Sequence, residues 1–225
     1  MFCPDDLNLV KGSPGDRRKF MDKCLSQIYP KYFELLKYRN AELKNGGKLL
    51  DLYNENISIL GALINRYRIR YIEDINKIAK TVHKGLISNE NILLTYTSDL
   101  TDKDVYLKEL EKVYQKELRY QATQIGPHKE DVVIDINSTN AKMYASQGQQ
   151  RSIALSLKIS ELNYIKNIIG ETPILLLDDV MSELDKTRQQ KLIKQIEGIQ
   201  SFITTTHLDF SHCGDIYTMI KGNIT

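Results

Sequence analysis

The sequence predicts an α/β fold: a parallel sheet with flanking helices, joined to a mostly helical lobe with a short antiparallel helical protrusion. Three observations predict it. The last hundred residues alternate strand and helix patterns, from "DVVIDI" (131–136) through "PILLLDDV" (173–180) to "SFITTT" (201–206). The run 174–177 is continuously apolar, which is what a strand buried on both faces of a parallel sheet needs. Residues 25–123, in contrast, read mostly at helical period.

Composition narrows the class. The chain has 225 residues, of which 41% are hydrophobic and 27% charged, values normal for a soluble globular protein with a real core. A net charge of +2 does not by itself announce a nucleic-acid partner. Cys3, Cys24 and Cys213 are scattered and form no Cys-x-x-Cys pair, so reduced thiols are expected rather than a disulfide or zinc framework. No stretch approaches a membrane span, and the first residues lack the apolar core of a signal peptide. A cytoplasmic setting without membrane contact is the expectation.

The elements follow in order. Residues 1–24 are rich in turn formers and basic groups. A helix is expected over 31–44, stopped by Asn45, Gly46 and Gly47. Leu52, Ile59, Leu63, Ile64, Ile72, Ile75 and Ile78 recur near helical spacing over 49–82, a span long enough to predict the antiparallel protrusion. "ILLTYT" (92–97) reads as a strand and 103–120 as an amphipathic helix. Beyond 131–136, a helix is expected from Gln147 to about 167, then a strand at 174–177, a helix at about 186–197 and strands at 201–206 and 216–220.

Two stretches carry chemistry. Asp178 and Asp179 close an apolar strand, and the carboxyl edge of an open α/β sheet is where ligands bind. One carboxylate there can hold Mg²⁺, and the second can polarise a water for attack on a phosphoryl group. Four apolar residues and then Asp-Asp fit a Walker B element with a catalytic acid; a strand ending in a polar turn fits as well. Ser182 and Asp185 have capping-box spacing, or the stretch 182–185 is a D-loop passing near a partner's nucleotide. Upstream, "SQGQQR" (146–151) opens a helix. Ser146 and Gln149 also have capping-box spacing, Gly148 permits close backbone approach, and the free N–H groups of a helix start attract anions. Capping explains those two side chains but not the crowding of Gln147, Gln150 and Arg151 into the same turn.

S-Q-G-Q-Q-R with its alanine- and leucine-bearing helix, then L-L-L-D-D-V-x-S-E-L-D, then F-I-T-T-T, resembles the RecF family of DNA replication and repair proteins. That family has an ABC-type ATPase head related to the heads of Rad50 and SMC proteins. Residues 4–22, 25–44 and "GPHKED" (126–131) match as well, so the resemblance covers nearly the whole chain. It implies a partial ABC-type head: 1–24 the end of the ATPase lobe I segment, 25–123 a helical lobe II, and 124–225 the core half with signature helix, Walker B, D-loop and switch strand. It implies that Ser146, Gln147, Gly148, Gln149 and Gln150, with Arg151 beside them, meet the nucleotide of a second subunit. Asp178 becomes the Mg²⁺-associated aspartate, Asp179 the catalytic acid and Asp185 the end of the D-loop. His207 stands where ABC ATPases often carry a switch histidine, although RecF proteins commonly have another residue there. The implied function is recombination mediation: a weak DNA-dependent ATPase that binds ATP and Mg²⁺, dimerises with ATP and binds single-stranded or gapped DNA. Gaps and stalled forks in replication, repair and the SOS response would be its targets, and RecR and RecO its partners.

One expected part is absent from these residues. No Gly-x-x-x-x-Gly-Lys-[Ser/Thr] occurs; in the nearest look-alike, Glu42 stands at the first glycine position and Leu49 at the hydroxyl position. The resemblance places the family's P-loop ahead of anything matched here. The chain is therefore expected to show no ATP hydrolysis alone and to leave apolar surface uncovered at 174–177 and Ile203. Two alternatives stand beside the mediator: a non-hydrolysing fragment that docks on a complete partner, and another SMC- or Rad50-like head. The short middle region and missing Cys-x-x-Cys hook count against the latter.

Lys11, Arg17, Arg18 and Lys19, with Lys23, form a local basic patch that could meet DNA phosphates or could be a solvated lobe surface. Arg66, Arg68 and Arg70 spread over different helix faces and make a weaker case. His207, Asp209, His212 and Cys213 match no standard zinc spacing.

Overall fold

The computed structural model describes residues 1–25, 28–206, 214–220 and 223–224. A 3₁₀ turn (Pro4–Leu7), α1 (Asn8–Lys11) and α2 (Pro14–Asp22) open the chain. At the start of α2 the Ser13 backbone N–H and hydroxyl both donate to Asp16 Oδ2, at 2.9 and 2.7 Å, and Pro14 occupies the first helical position.

α3 (Tyr29–Lys44) and α4 (Leu50–Leu86) are joined by residues 45–49. Gly46 and Gly47 turn the chain at φ 91° and 78°, a region that costs glycine nothing. The two helices run antiparallel: Arg39 Nε donates to Asn54 Oδ1 at 2.8 Å near the tip, and Arg68 Nη2 to Tyr29 Oη at 3.2 Å near the base. The protrusion expected within 49–82 therefore has a different make-up. α4 does not fold back on itself; it continues for 37 residues, about 55 Å, and its antiparallel partner is α3. α5 (Lys103–Tyr120), capped by Asp102 accepting from the N–H groups of Asp104 and Val105, packs on the same stretch. Gly61 permits that approach, since a Cβ there would fall 2.3 Å from the Tyr106 ring.

α4 serves two cores. Its first half packs Ile57 and Ile64 against Tyr32, Leu36, Tyr106 and Leu110 in the helical lobe. Its second half brings Ile72, Ile75, Ala79 and Val82 into the larger core. There β1 (Ile92–Thr95), β2 (Val133–Ile136) and β3 (Thr139–Asn140) form an antiparallel sheet. Asn76 of α4 fastens that sheet's edge, donating to Leu94 O at 2.8 Å and accepting from Leu94 N at 2.9 Å.

After α6 (Ala141–Tyr144), α7 (Gln147–Ile169) crosses the large core. Ser152, Ser156 and Ser160 are buried on it, each donating to the carbonyl four residues earlier, which is how a hydroxyl is satisfied inside a helix. β4 (Leu175–Leu177) and β5 (Ser201–Ile203) pair in parallel, and α8 (Lys186–Gln195) connects them. Phe2 bridges the other edge of β4: its N–H donates to Leu176 O at 2.7 Å, and Asp178 N–H to Phe2 O at 3.0 Å. β4 is thus the central strand. β6 (Met219–Ile220) and β7 (Asn223–Ile224) make a separate antiparallel pair, shorter than the strand read at 216–220.

Two expectations change. Residues 131–136 do not join the parallel sheet, because β2 finds its partner in β1. The 174–177 run is covered on one face only. Leu175 and Leu177 enter the large core with Leu157 and Leu192, while Ile174 (54%), Leu176 (40%) and Phe202 (59%) face outward. Among the described residues, helices back this layer on a single side. Ile203 is partly buried, so Phe202 is the uncovered residue of β5.

Candidate functional site

The end of β4 is organised by a residue that sequence reading passed over. Thr204 N–H donates to Leu177 O at 2.9 Å, extending the parallel pairing by one step. Its hydroxyl donates to Asp178 Oδ1 at 2.7 Å and accepts the Asp179 N–H at 2.9 Å. One threonine therefore fastens both aspartates where the strand ends. Asp179 has φ 50°, a left-handed turn uncommon for a residue other than glycine and tolerated best by Asp and Asn. Both aspartate side chains are exposed. The signal for Thr204 was present as the T-T-T run after an apolar strand, but nothing in the sequence says which hydroxyl reaches the aspartates.

The second part is the start of α7. Ser146 and Gln149 form the capping box expected: Gln149 N–H donates to Ser146 Oγ at 3.3 Å and Ser146 N–H to Gln149 Oε1 at 2.9 Å. The N–H groups of Gln147 and Gly148 are left without helical carbonyl partners, at the positive end of a 23-residue helix. The rest of the turn departs from the sequence reading. Gln150 Nε2 donates to Ala145 O at 3.1 Å, Gln149 Nε2 donates to Glu90 Oε1 at 3.0 Å, and Arg151 is half-buried with a partner of its own. Ser146 and Gln147 are the exposed side chains of the group.

Asp185 links these parts through a residue not singled out beforehand. It caps α8, accepting from Arg188 N–H at 3.0 Å. Ser182 takes no part in that cap: it lies in a 3₁₀ turn (Met181–Glu183) and donates to Asp179 O at 2.9 Å. Arg188 Nε lies 3.3 Å from Asp185 Oδ2, and its Nη1 donates to Gly148 O at 3.4 Å. The stretch after the aspartates is thereby tied to the α7 turn.

The basic patch divides. Arg17 does not face solvent: it is 5% exposed and pairs with both oxygens of Asp131, at 2.8 and 2.7 Å. Its carboxylate partner and burial remove it from any phosphate. Arg18 is half-buried and donates to Glu130 O at 3.0 Å. Lys11 and Lys19 are exposed. Arg68 is fully buried and is excluded from a surface role. His207, Asp209, His212 and Cys213 lie outside the described residues. Among the described residues no cluster of three or more metal-ligating side chains occurs, and no helix is long and apolar enough to cross a membrane.

No family model matches the chain. Curated relatives do. The DNA replication and repair protein RecF of Clostridium perfringens strain 13 is 42% identical over 244 residues, covering 100% of this chain and 68% of the relative. RecF of Clostridium botulinum strain Okra is 41% identical over 225 residues, covering 93% of this chain. The chain spans 62% of the length of that second relative. Among solved structures, one described as the recombination mediator protein RecF-ATP in the RecFOR pathway superposes with a TM-score of 0.85 at 35% identity. It covers 100% of this chain and 66% of that one. A second, described as RecF-ATPrS in the same pathway, gives 0.83 at 36% identity. This backbone likeness bears out the α/β ATPase-head class with its helical lobe.

Proposed function

The chain belongs to the RecF family, and we propose that it acts as a RecF-type DNA repair and recombination mediator, contributing half of a composite ATP site. The observation that carries the reading is the fastening of Asp178 and Asp179 by Thr204 at the end of β4, in a chain that aligns along its whole length with RecF. In this reading residues 1–24 and 124–225 belong to the ATPase head and 25–123 to the helical lobe, with α4 spanning both.

The mechanism follows from the two parts. The Ser146 hydroxyl and the N–H groups of Gln147 and Gly148 meet the terminal phosphate of an ATP cradled by a second chain, where the helix dipole favours negative charge. Asp178, at the end of β4, is an exposed oxygen donor, and it fits Mg²⁺, which takes one or two carboxylates and completes its shell with phosphate oxygens and water. Bound there, Mg²⁺ would neutralise phosphate charge. Asp179, its backbone held by Thr204, accepts the proton of an attacking water. ATP thus joins two chains, and the joined pair grips DNA at gaps and stalled forks in a cytoplasmic setting, with RecR and RecO as partners. Lys11 and Lys19 supply the exposed basic groups for salt-dependent phosphate contact.

A second reading, a docking fragment without turnover of its own, is favoured by the missing P-loop motif in these 225 residues. Mixing the chain with a complete family member and following association by sedimentation tests both. The expected result is no ATP turnover by this chain alone and association only when the complete partner is ATP-loaded. Turnover by the chain alone that Asp179→Asn abolishes would sink the composite-site reading, as would association indifferent to ATP.

A further inference from the structure

Behind the α7 turn lies a chain of polar groups that the reading above does not use. His83, on α4, is fully buried. Its Nδ1 is 2.8 Å from Ser156 Oγ, and its Nε2 is 3.3 Å from Glu90 Oε2. The proton positions follow by elimination. Ser156 has one hydroxyl hydrogen and donates it to Ser152 O at 2.7 Å, so Ser156 Oγ can only accept from His83 Nδ1–H. Burial, the dominant influence, holds His83 below its ordinary pKa despite the neighbouring Glu90, with Arg188 acting in the same direction as burial. Nδ1 therefore carries the hydrogen in the neutral ring, and Nε2 then faces the Glu90 carboxylate as a second acceptor; the two form a hydrogen bond only when Nε2 is protonated as well, a state that Glu90 favours and burial opposes.

Glu90 is the crossing point. It follows α4 in the loop before β1, and its side chain is 14% exposed. One oxygen faces His83; the other accepts from Gln149 Nε2 at 3.0 Å. Gln149 is consequently held at both ends, since its own Oε1 accepts the Ser146 N–H. Without Glu90 the amide could rotate away, and the capping box that sets the Ser146 hydroxyl and the free N–H groups would lose its far anchor. The end of α4 also reaches α8, where Lys191 Nζ donates to Leu86 O at 3.0 Å.

We propose that Glu90, seated on His83, is a positioning residue that sets the geometry of the 146–149 turn and hence its grip on a phosphate presented by a second chain. The grip rests on the function proposed above; the positioning of the turn does not. The two can be separated by experiment on the whole chain. Glu90→Ala should raise the rate of amide hydrogen exchange at Gln149 by about threefold to tenfold, the effect of losing one modest hydrogen bond. It should weaken ATP-dependent association with a complete family member by a similar factor. Glu90→Gln should match the wild type within about twofold in both measurements. Its amide oxygen still accepts from Gln149, and its N–H group donates to the Nε2 lone pair of neutral His83. A merely structural role for the carboxylate charge would not be rescued in this way. Should Glu90→Ala fail to fold, Glu90→Asp serves, since its carboxylate is drawn back by one methylene and should show the same losses. Unchanged exchange and association in Glu90→Ala, or a Glu90→Gln variant as impaired as Glu90→Ala, overturns the proposal. Faster exchange in Glu90→Ala combined with no ATP-dependent association even of the wild type upholds the positioning role and overturns the composite site.

Discussion

The joint at the base of the helical lobe and the aspartate end of β4 both gather charged and polar groups, but they treat them oppositely. At the joint, Arg68 is wholly enclosed. It gives two hydrogen bonds of 2.8 Å to Asp22, one of 2.8 Å to Pro127 O and one of 3.3 Å to Tyr96 Oη. Glu130 takes Tyr96 and Ser98, and nearer the tip of the lobe Arg39 is enclosed in the same way, pairing with Glu117 at 2.6 Å and Thr123 at 2.7 Å. Among the described residues no buried side-chain nitrogen or oxygen lacks a partner. At the β4 end, Asp178 and Asp179 are fastened through one threonine, and their side chains face solvent. The difference separates polar groups whose bonding capacity is filled within the fold from those with capacity left for a ligand. Charge and residue type alone do not make that distinction: Arg17 and Lys19 belong to one basic run, and only Lys19 faces outward.

The comparison can be broken most directly at Arg68. Arg68→Met leaves the buried Asp22 carboxylate without its partner and should lower the unfolding free energy by about 3–5 kcal/mol, measured by urea denaturation. A loss below about 1 kcal/mol would mean that water reaches the joint and that the two regions do not differ in kind.

The joint should also respond to acid. His128 is held neutral: its Nε2–H donates to Thr123 O at 3.2 Å, and its Nδ1 accepts from Tyr32 at 2.8 Å. Burial pushes its pKa down to about 4, against about 6.5 in the unfolded chain. Its stabilising contribution is complete above pH 6.5. As pH falls from there towards 4, the unfolded chain takes up the proton first and the contribution is lost. Allowing for partial exposure of the ring, the loss is about 2 kcal/mol. Urea midpoints at pH 7 and 4.5 should show it, and His128→Gln should flatten that part of the profile. A slope unchanged by the substitution would remove His128 from the acid response.

The smallest stability effect is expected at the aspartates. Thr204→Val should change the unfolding free energy by about 1 kcal/mol or less. ATP turnover by a dimer assembled with a complete partner should nevertheless fall at least about tenfold, because Asp178 and Asp179 lose their common tether. A large stability loss with unchanged turnover would reverse the roles of the two regions.

Much of the site was readable because local rules produce it. Ser146 and Gln149 cap α7 by spacing alone, and an apolar run followed by Asp-Asp places the carboxylates at a strand end. Thr204, Arg188 and Glu90 were not readable, since each acts across a separation that pattern reading does not span. Thr204 meets Asp178 over 26 positions, Arg188 meets Gly148 over 40, and Glu90 meets Gln149 over 59. The helical hairpin was readable as helices and turn but not in its pairing, because α4's periodicity shows which face is apolar and not which neighbour covers it.

By itself, then, the sequence determined the order and kind of elements, the capped start of α7 and the aspartate pair, because helix caps, apolar periods and strand ends are set by residues within a few positions of one another. The tertiary structure decided which charged groups are enclosed and which meet solvent, because burial and hydrogen-bond partners depend on segments brought together from distant parts of the chain. That is why Arg17 and Arg68 became structural ion pairs, and why a threonine and a glutamate outside the motifs came to hold the motifs in place.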